Sequence, residues 1–143
     1  MWRARLGGQP YQAWPLALAG SLGLDRHLPQ MAAYWARARE IATAVQDLAG
    51  VEVAPPVPQT PLFHVRMDVP REALEAGHRE LVDEGGLRLF LTARPSVDPE
   101  HSQFEVTISE RALEVSVEQV RDALAALRCR AQQPSPDRDH CVA

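Results

Sequence analysis

The chain has 143 residues, of which 45% are hydrophobic and 24% are charged, and its formal net charge is −4. These values are ordinary for a globular protein, and a domain of this length buries enough surface to form a true core. No apolar run is long enough to cross a membrane, and the dispersed arginines lack the clustering that nucleic-acid binding requires. The first residues also lack the apolar core of a secretory signal peptide. We therefore expect a cytoplasmic protein, with neither a membrane nor a nucleic acid among its partners.

The residue types exclude some chemistry directly. All 15 basic residues are arginines, so the chain cannot form a lysine Schiff base. Cys129 and Cys141 lack the paired spacing of a zinc site, and the five histidines are scattered along the chain. The sequence therefore predicts no metal site and indicates no catalytic residue by spacing alone.

Two helices are predicted in the first third of the chain. Small and apolar residues from about 9 to 24 predict a short, buried helix that starts near Trp14, with Pro15 in its first turn. From Met31 to Leu48, apolar residues recur every three or four positions, which is typical of a helix with one buried face. The tryptophans are interpreted as core or interface residues rather than as stacking partners for a ligand: Trp2, Trp14 and Trp35.

The remaining chain alternates between strands and helices. Alternating or continuous apolar residues predict four strands, at 51–53, 63–67, 87–92 and 104–108. Pro70 opens a helix that the pair Gly85-Gly86 closes, and Ser116 with Gln119 forms a capping box for the last helix. This order predicts an α+β fold with helices packed on a small, largely antiparallel sheet. We divide it into a segment and helix of interdomain type (1–24), a small α+β domain (25–130) and a disordered tail (131–143).

Two residues of the predicted sheet are candidates for a site. Arg94 follows the strand at 87–92, where a guanidinium can either clamp a carboxylate or remain solvated. His64 lies on the polar face of its strand, either as a structural residue or as the wall of a site.

Several segments resemble the threonine aldolase and β-eliminating lyase family. The stretch from Trp2 to Leu16, which contains Arg-Leu-Gly-Gly-Gln, resembles the family's segment downstream of the cofactor lysine. The resemblance continues in the same order through residues 23–31, the strand entry Pro58-Gln59-Thr60-Pro61-Leu62-Phe63-His64-Val65, and the strand at 104–108. It covers residues 1–130, but only the carboxyl-terminal part of a full-length family member.

The resemblance implies a fold and a chemistry. Family members are fold type I pyridoxal-phosphate enzymes with a small carboxyl-terminal α+β domain, and they cleave the Cα–Cβ bond of amino acids such as threonine. By resemblance, the cofactor-binding candidates are Gly7, Gly8 and Gln12, and the substrate-binding candidates are Arg5 and Arg94. In many relatives a carboxylate-binding arginine precedes Val-Thr-His in the last strand. Glu105 stands there in this chain, which leaves Arg94 as the substitute.

The same resemblance predicts that this chain does not act alone. The cofactor lysine and the aspartate that pairs with the pyridine nitrogen would both precede residue 1, so the chain is interpreted as truncated and without covalently bound pyridoxal phosphate. A separate cofactor-domain polypeptide or self-association would then complete the site for a small amino-acid substrate. The alternative is a non-catalytic binding or oligomerisation module derived from the same domain.

Overall fold

The computed structural model describes residues 13–133. These residues form two compact units, one ending at Ala32 and the other beginning at Ala33. Within 13–133, no helix is both long enough and apolar enough to cross a bilayer.

The first unit is a run of helical turns. Helix α1 spans Trp14–Leu22 and has a proline in its first turn, as predicted. A π-helical turn (Gly23–His27) and a 3-10 turn (Leu28–Gln30) follow it.

The prediction that this first helix is buried is wrong. None of its residues is buried, and the side chain of Trp14 is 67% exposed. The segment from Trp14 to Leu24 contains no charged residue. Since its apolar side chains point in all directions, packing on one side cannot cover them.

The second unit contains the sheet and most of the other helices. The elements from Met31 onward are α2 (Met31–Val45), β1 (Val51–Ala54), β2 (Leu62–Met67), α3 (Arg71–Asp83), β3 (Ala93–Pro95), β4 (Ser102–Thr107), α4 (Glu110–Glu114) and α5 (Val117–Gln132). The strands form one antiparallel sheet in the order β1-β2-β4-β3. The predicted α+β class with a small antiparallel sheet is therefore confirmed.

The core lies against one face of this sheet. Because side chains alternate across a strand, β2 buries Phe63, Val65 and Met67 on one side, and all three are fully buried. Phe104 of β4 and Leu74 of α3 are buried to the same degree. Helix α2 contributes one face to the core, from Tyr34 to Val45. Met31, which was expected on that face, and Trp35, which was expected in a core or an interface, are more than 40% exposed.

Helices α3 and α5 pack closely at a glycine. A Cβ at Gly77 would lie 3.3 Å from both the backbone nitrogen of Ala131 and the Cβ of Arg130. At the carboxyl end of α3, the guanidinium of Arg130 donates a 2.7 Å hydrogen bond to Glu84. The predicted capping box holds the start of α5, since Ser116 and Gln119 bond each other's backbone amides.

Two sequence predictions need correction here. Residues 87–92 are not a strand: the third strand is three residues long and begins at Ala93. Of the apolar run at 87–92, Phe90 is buried but Leu91 is 87% exposed. At the other end, Ala131 and Gln132 belong to α5 rather than to the tail. Residues 134–143 of the predicted disordered tail lie outside the described residues.

Candidate functional site

The exposed face of β2 and β4, together with the segment 88–94, forms a groove. It has a volume of about 400 Å³ and is lined by His64, Arg88, Leu89, Phe90, Leu91, Thr92, Arg94, Gln103, Phe104, Glu105 and Thr107. Three walls contribute: β2, β4 and the segment 88–94, which runs into β3.

Strand register brings the polar residues of the groove together. Gln103 of β4 is paired with Arg94 of β3 on one side and with Arg66 of β2 on the other. Two residues along β4, Glu105 is paired with His64. Paired residues in an antiparallel sheet project from the same face, so Arg94, Gln103, Glu105 and His64 share the open face. Two of them, His64 and Arg94, are the residues singled out from the sequence.

Arg88 and Arg94 are the two arginines that line the groove, and neither is paired with a carboxylate of residues 13–133. Both are exposed, and within residues 13–133 neither forms a hydrogen bond or ion pair. Arg66, on the same sheet face, is different: its guanidinium lies 3.3 Å from the carboxylate of Glu52. An unpaired guanidinium offers a planar set of donors that matches a carboxylate in two-point contact. Arg88 and Arg94 therefore present to the groove donors of the kind that a small carboxylate accepts from.

Glu105 gives the groove a negative group as well. Its side chain is exposed and accepts a 3.2 Å hydrogen bond from the hydroxyl of Thr107. In the antiparallel ladder, Glu105 is a diagonal neighbour of Arg94 across the β3–β4 pair. The groove thus places a carboxylate next to a guanidinium, and this pair of opposite charges suits a zwitterionic ligand.

A second cleft of about 400 Å³ lies on the other side of the segment 88–92. Its lining includes Glu75, His78, Arg79 and Asp83 from α3, together with Arg88, Phe90, Leu91 and Thr92. The two hollows therefore share four residues of one segment. No group of three or more potential metal ligands occurs within residues 13–133.

Part of the predicted site lies outside the described residues. Arg5, Gly7, Gly8 and Gln12 fall in the segment 1–12, so their roles stay predictions. Sequence reasoning missed Arg88, because residues 87–92 were interpreted as a buried strand. The preceding pair Gly85-Gly86 was a usable signal, since Gly85 has a φ of +85° and turns the chain away from α3.

Comparisons with known proteins give a fold. No family model matches this sequence, and no curated protein matches it. A structure described as an L-allo-threonine aldolase from Listeria monocytogenes EGD-E matches 90% of this chain, with a TM-score of 0.75 and 22% sequence identity. The fold is that of part of a threonine aldolase-like chain.

A second solved structure agrees with the first. It is described as an aromatic amino acid beta-eliminating lyase/threonine aldolase from Exiguobacterium sp. 255-15, with a TM-score of 0.69, 19% identity and 90% of this chain covered. In both matches this chain spans 36% of the other chain's length. Nearly all of this chain therefore has the threonine aldolase-like fold, and it corresponds to about one third of each matched chain.

Proposed function

We propose that this chain provides the small carboxyl-terminal domain of a pyridoxal-phosphate-dependent, threonine aldolase-like lyase and binds the substrate carboxylate in its sheet groove. The threonine aldolase-like fold supports the proposal. The observation that carries it is a pair of groove arginines, Arg88 of the segment 88–92 and Arg94 of β3, which have no hydrogen-bond or ion-pair partner within residues 13–133. Arg94 is also one of the two substrate-binding candidates, with Arg5, that the sequence resemblance left.

The described residues do not themselves form a site for the cofactor. The aldehyde of pyridoxal phosphate needs a lysine amine, and all 15 basic residues of this chain are arginines. When bound by the rest of such an enzyme, the cofactor supplies the electron sink for Cα–Cβ cleavage. We assign no step of that chemistry to this chain. Its contribution is to bind and orient the amino acid, with Arg94 on the carboxylate and Arg88 beside it.

The exposed residues of α1 fit a chain that works in an assembly. Within residues 13–33, apolar side chains remain at least half exposed at Trp14, Leu16, Leu18, Leu22, Leu24 and Leu28. An apolar surface of this kind favours association. We propose that a cofactor-domain polypeptide or a second copy of the chain covers it.

The carboxylate site predicts a specific loss of binding. In the full chain, Arg94→Gln is expected to weaken binding of L-threonine by about tenfold, which corresponds to about 1.4 kcal/mol for one charge-assisted contact. Arg66→Gln is the matched control, because it removes an arginine from the same sheet face that is already paired with Glu52. Chemical-shift titration by NMR measures both. Threonine methyl ester, which lacks the carboxylate, should bind no better to the parent chain than to Arg94→Gln.

The outcome that contradicts the carboxylate site is equal weakening by the two variants. Equal binding of L-threonine and its methyl ester to the parent chain would contradict it as well. Either result would show that the charge of Arg94 does not select the ligand.

Glu105 favours one alternative, a non-catalytic module that binds free amino acids. Its carboxylate lies on the groove wall as a diagonal neighbour of Arg94, so the groove could hold the ammonium and carboxylate of one zwitterion without a cofactor. The Glu105→Gln variant separates the two functions. A module for free amino acids loses L-threonine affinity in this variant, whereas a site that recognises only the carboxylate does not.

A further inference from the structure

We propose that His78 is a positioning residue for the groove: its neutral ring fixes the segment that carries Arg88, and protonation of the ring releases that segment. The inference deepens the proposed function, because it rests on the groove as the binding site and adds a pH-dependent control of it. No motif in the sequence singles out His78. The contacts of its ring carry the argument.

The ring of His78 is attached to the segment 88–92 in two ways. The backbone N–H of Leu89 donates a 3.0 Å hydrogen bond to Nε2 of His78. The same imidazole stacks on Phe90, with 3.9 Å between ring centroids and 21° between planes. Phe90 in turn lies against the fully buried Phe104 of β4, at a centroid distance of 4.4 Å. His78 thus connects helix α3 to the sheet through the segment that walls the groove.

The hydrogen bond requires one protonation state. Nε2 can accept from Leu89 only while it carries no proton, so the ring is neutral with its proton on Nδ1. A protonated Nε2 would face the N–H of Leu89, donor against donor. The hydrogen bond would then be lost, and the backbone N–H would be left without an acceptor.

The surroundings of His78 disfavour the charged ring. Burial and, to a smaller extent, the nearby charge of Arg88 lower the pKa of His78 below its ordinary value. The other charged groups lining its cleft are Glu75, Arg79 and Asp83 of α3, and β3, β4 and α5 contribute no charged residue to that lining. Glu75 is already paired with Arg71, at 3.1 Å.

The sign of the pH effect follows from the lowered pKa. When the segment is released or unfolded, His78 has its ordinary pKa of about 6.5. His78 therefore binds a proton more readily in the released state than in the closed state. The closed state is therefore fully favoured above about pH 6.5 and is progressively disfavoured as the pH falls toward the lowered pKa. We expect acidification to open the segment.

Opening the segment 88–92 would alter the groove, because this segment forms one wall of the groove and one wall of the cleft that contains His78. Arg88, Phe90, Leu91 and Thr92 line both the groove and the cleft of His78. Loss of the bond to Leu89 frees the backbone next to Arg88. The arginine pair that binds the carboxylate would then lose its fixed spacing, and its affinity would fall in proportion to the fraction of closed molecules.

The test is amide hydrogen exchange at Leu89 in the full chain, followed by NMR. At about pH 8, where a histidine is neutral, the amide of Leu89 should be protected, and its protection factor should be lower near pH 5. His78→Phe keeps an aromatic ring but removes the acceptor, so it should lose the protection at both pH values. His78→Gln restores a neutral acceptor near the position of Nε2, so it should keep protection at both. Amides of β2 serve as the internal reference for global unfolding.

His101→Gln is the matched control, because this histidine lines neither hollow. It should follow the parent chain at every pH. Binding of L-threonine is then measured in a His64→Gln background, since His64 is the histidine that lines the groove itself. There the affinity should fall with the protection of Leu89 on acidification, and the additional change His78→Gln should remove that pH dependence.

Two results would overturn the inference. One is Leu89 protection in His78→Phe that equals the parent value, and the other is an unchanged pH dependence in His78→Gln. The exchange readout uses no ligand. A failure of L-threonine to bind, with exchange at Leu89 still governed by His78, would reject the proposed function while leaving the positioning role of His78 intact.

Discussion

Replacing Phe104 with alanine is expected to destabilise the chain by about 3–5 kcal/mol, the usual cost of removing a fully buried phenylalanine. Phe104 is 1% exposed and belongs to the central strand pair of the sheet. Its ring also supports Phe90 at 4.4 Å. The substitution therefore leaves a cavity in the core and removes the support of the groove wall. Urea denaturation followed by circular dichroism measures the change in the free energy of unfolding.

Leu91→Ala provides the control for this prediction. Leu91 lines the same groove but is 87% exposed, so its loss should change stability by no more than about 0.5 kcal/mol. If the two variants were equally stable, Phe104 would not be in the core and the position of the groove on the sheet would be wrong.

The second large effect is expected at Gly50, where Gly50→Ala should cost about 2–3 kcal/mol. Gly50 has a φ of +70°, a conformation that strains an L side chain. A Cβ at this position would also overlap the ion pair between Arg128 and Asp68. That pair is two-pronged, with N–O distances of 2.8 and 2.7 Å, and it joins α5 to the loop after β2.

Gly85 allows the two causes to be separated. Its φ is +85°, but no atom lies within 4 Å of where a Cβ would be. Gly85→Ala should therefore show the backbone strain alone, about 1–2 kcal/mol. Thermal unfolding of both variants would contradict the account if Gly50→Ala were no more destabilising than Gly85→Ala.

Where one face of an element is buried, the sequence predicts the fold well. In β2 the alternation of Phe63, Val65 and Met67 with polar residues identified both the strand and its buried face. The capping residues Ser116 and Gln119 located the start of α5, because that signal depends only on neighbouring residues. Both features depend only on residues that are close together in the sequence.

The errors occur where burial depends on distant contacts. The run Leu87-Arg88-Leu89-Phe90-Leu91 has the composition of a strand. However, the backbone of Leu89 bonds to the side chain of His78 on α3, and the run does not pair with a neighbouring strand. Helix α1 is apolar enough to be buried, yet none of its residues is buried. A pattern within one segment cannot show whether another part of the molecule will cover it.

Some residues of the candidate site could likewise be predicted from the sequence, and others could not. His64 could be chosen from the sequence because it lies on the polar face of a predicted strand. Arg94 was chosen as the residue that follows a strand at 87–92, but it lies within β3, so that reason was wrong. Their common groove depends on the pairing of both strands with β4, which the sequence does not specify. Arg88 and His78 were missed because their roles arise from a contact across 11 residues between a helix and an irregular segment.

The most direct test of the proposed function is capture of the tagged, full chain from the organism that encodes it, followed by an assay for acetaldehyde released from L-threonine or L-allo-threonine. We expect the chain to be recovered with a lysine-bearing cofactor-domain polypeptide, and we expect the complex to release acetaldehyde only with pyridoxal phosphate. Arg94→Gln should recover the same partner with much lower activity. A chain that light scattering shows to be monomeric, with no partner and no acetaldehyde release, would contradict the account.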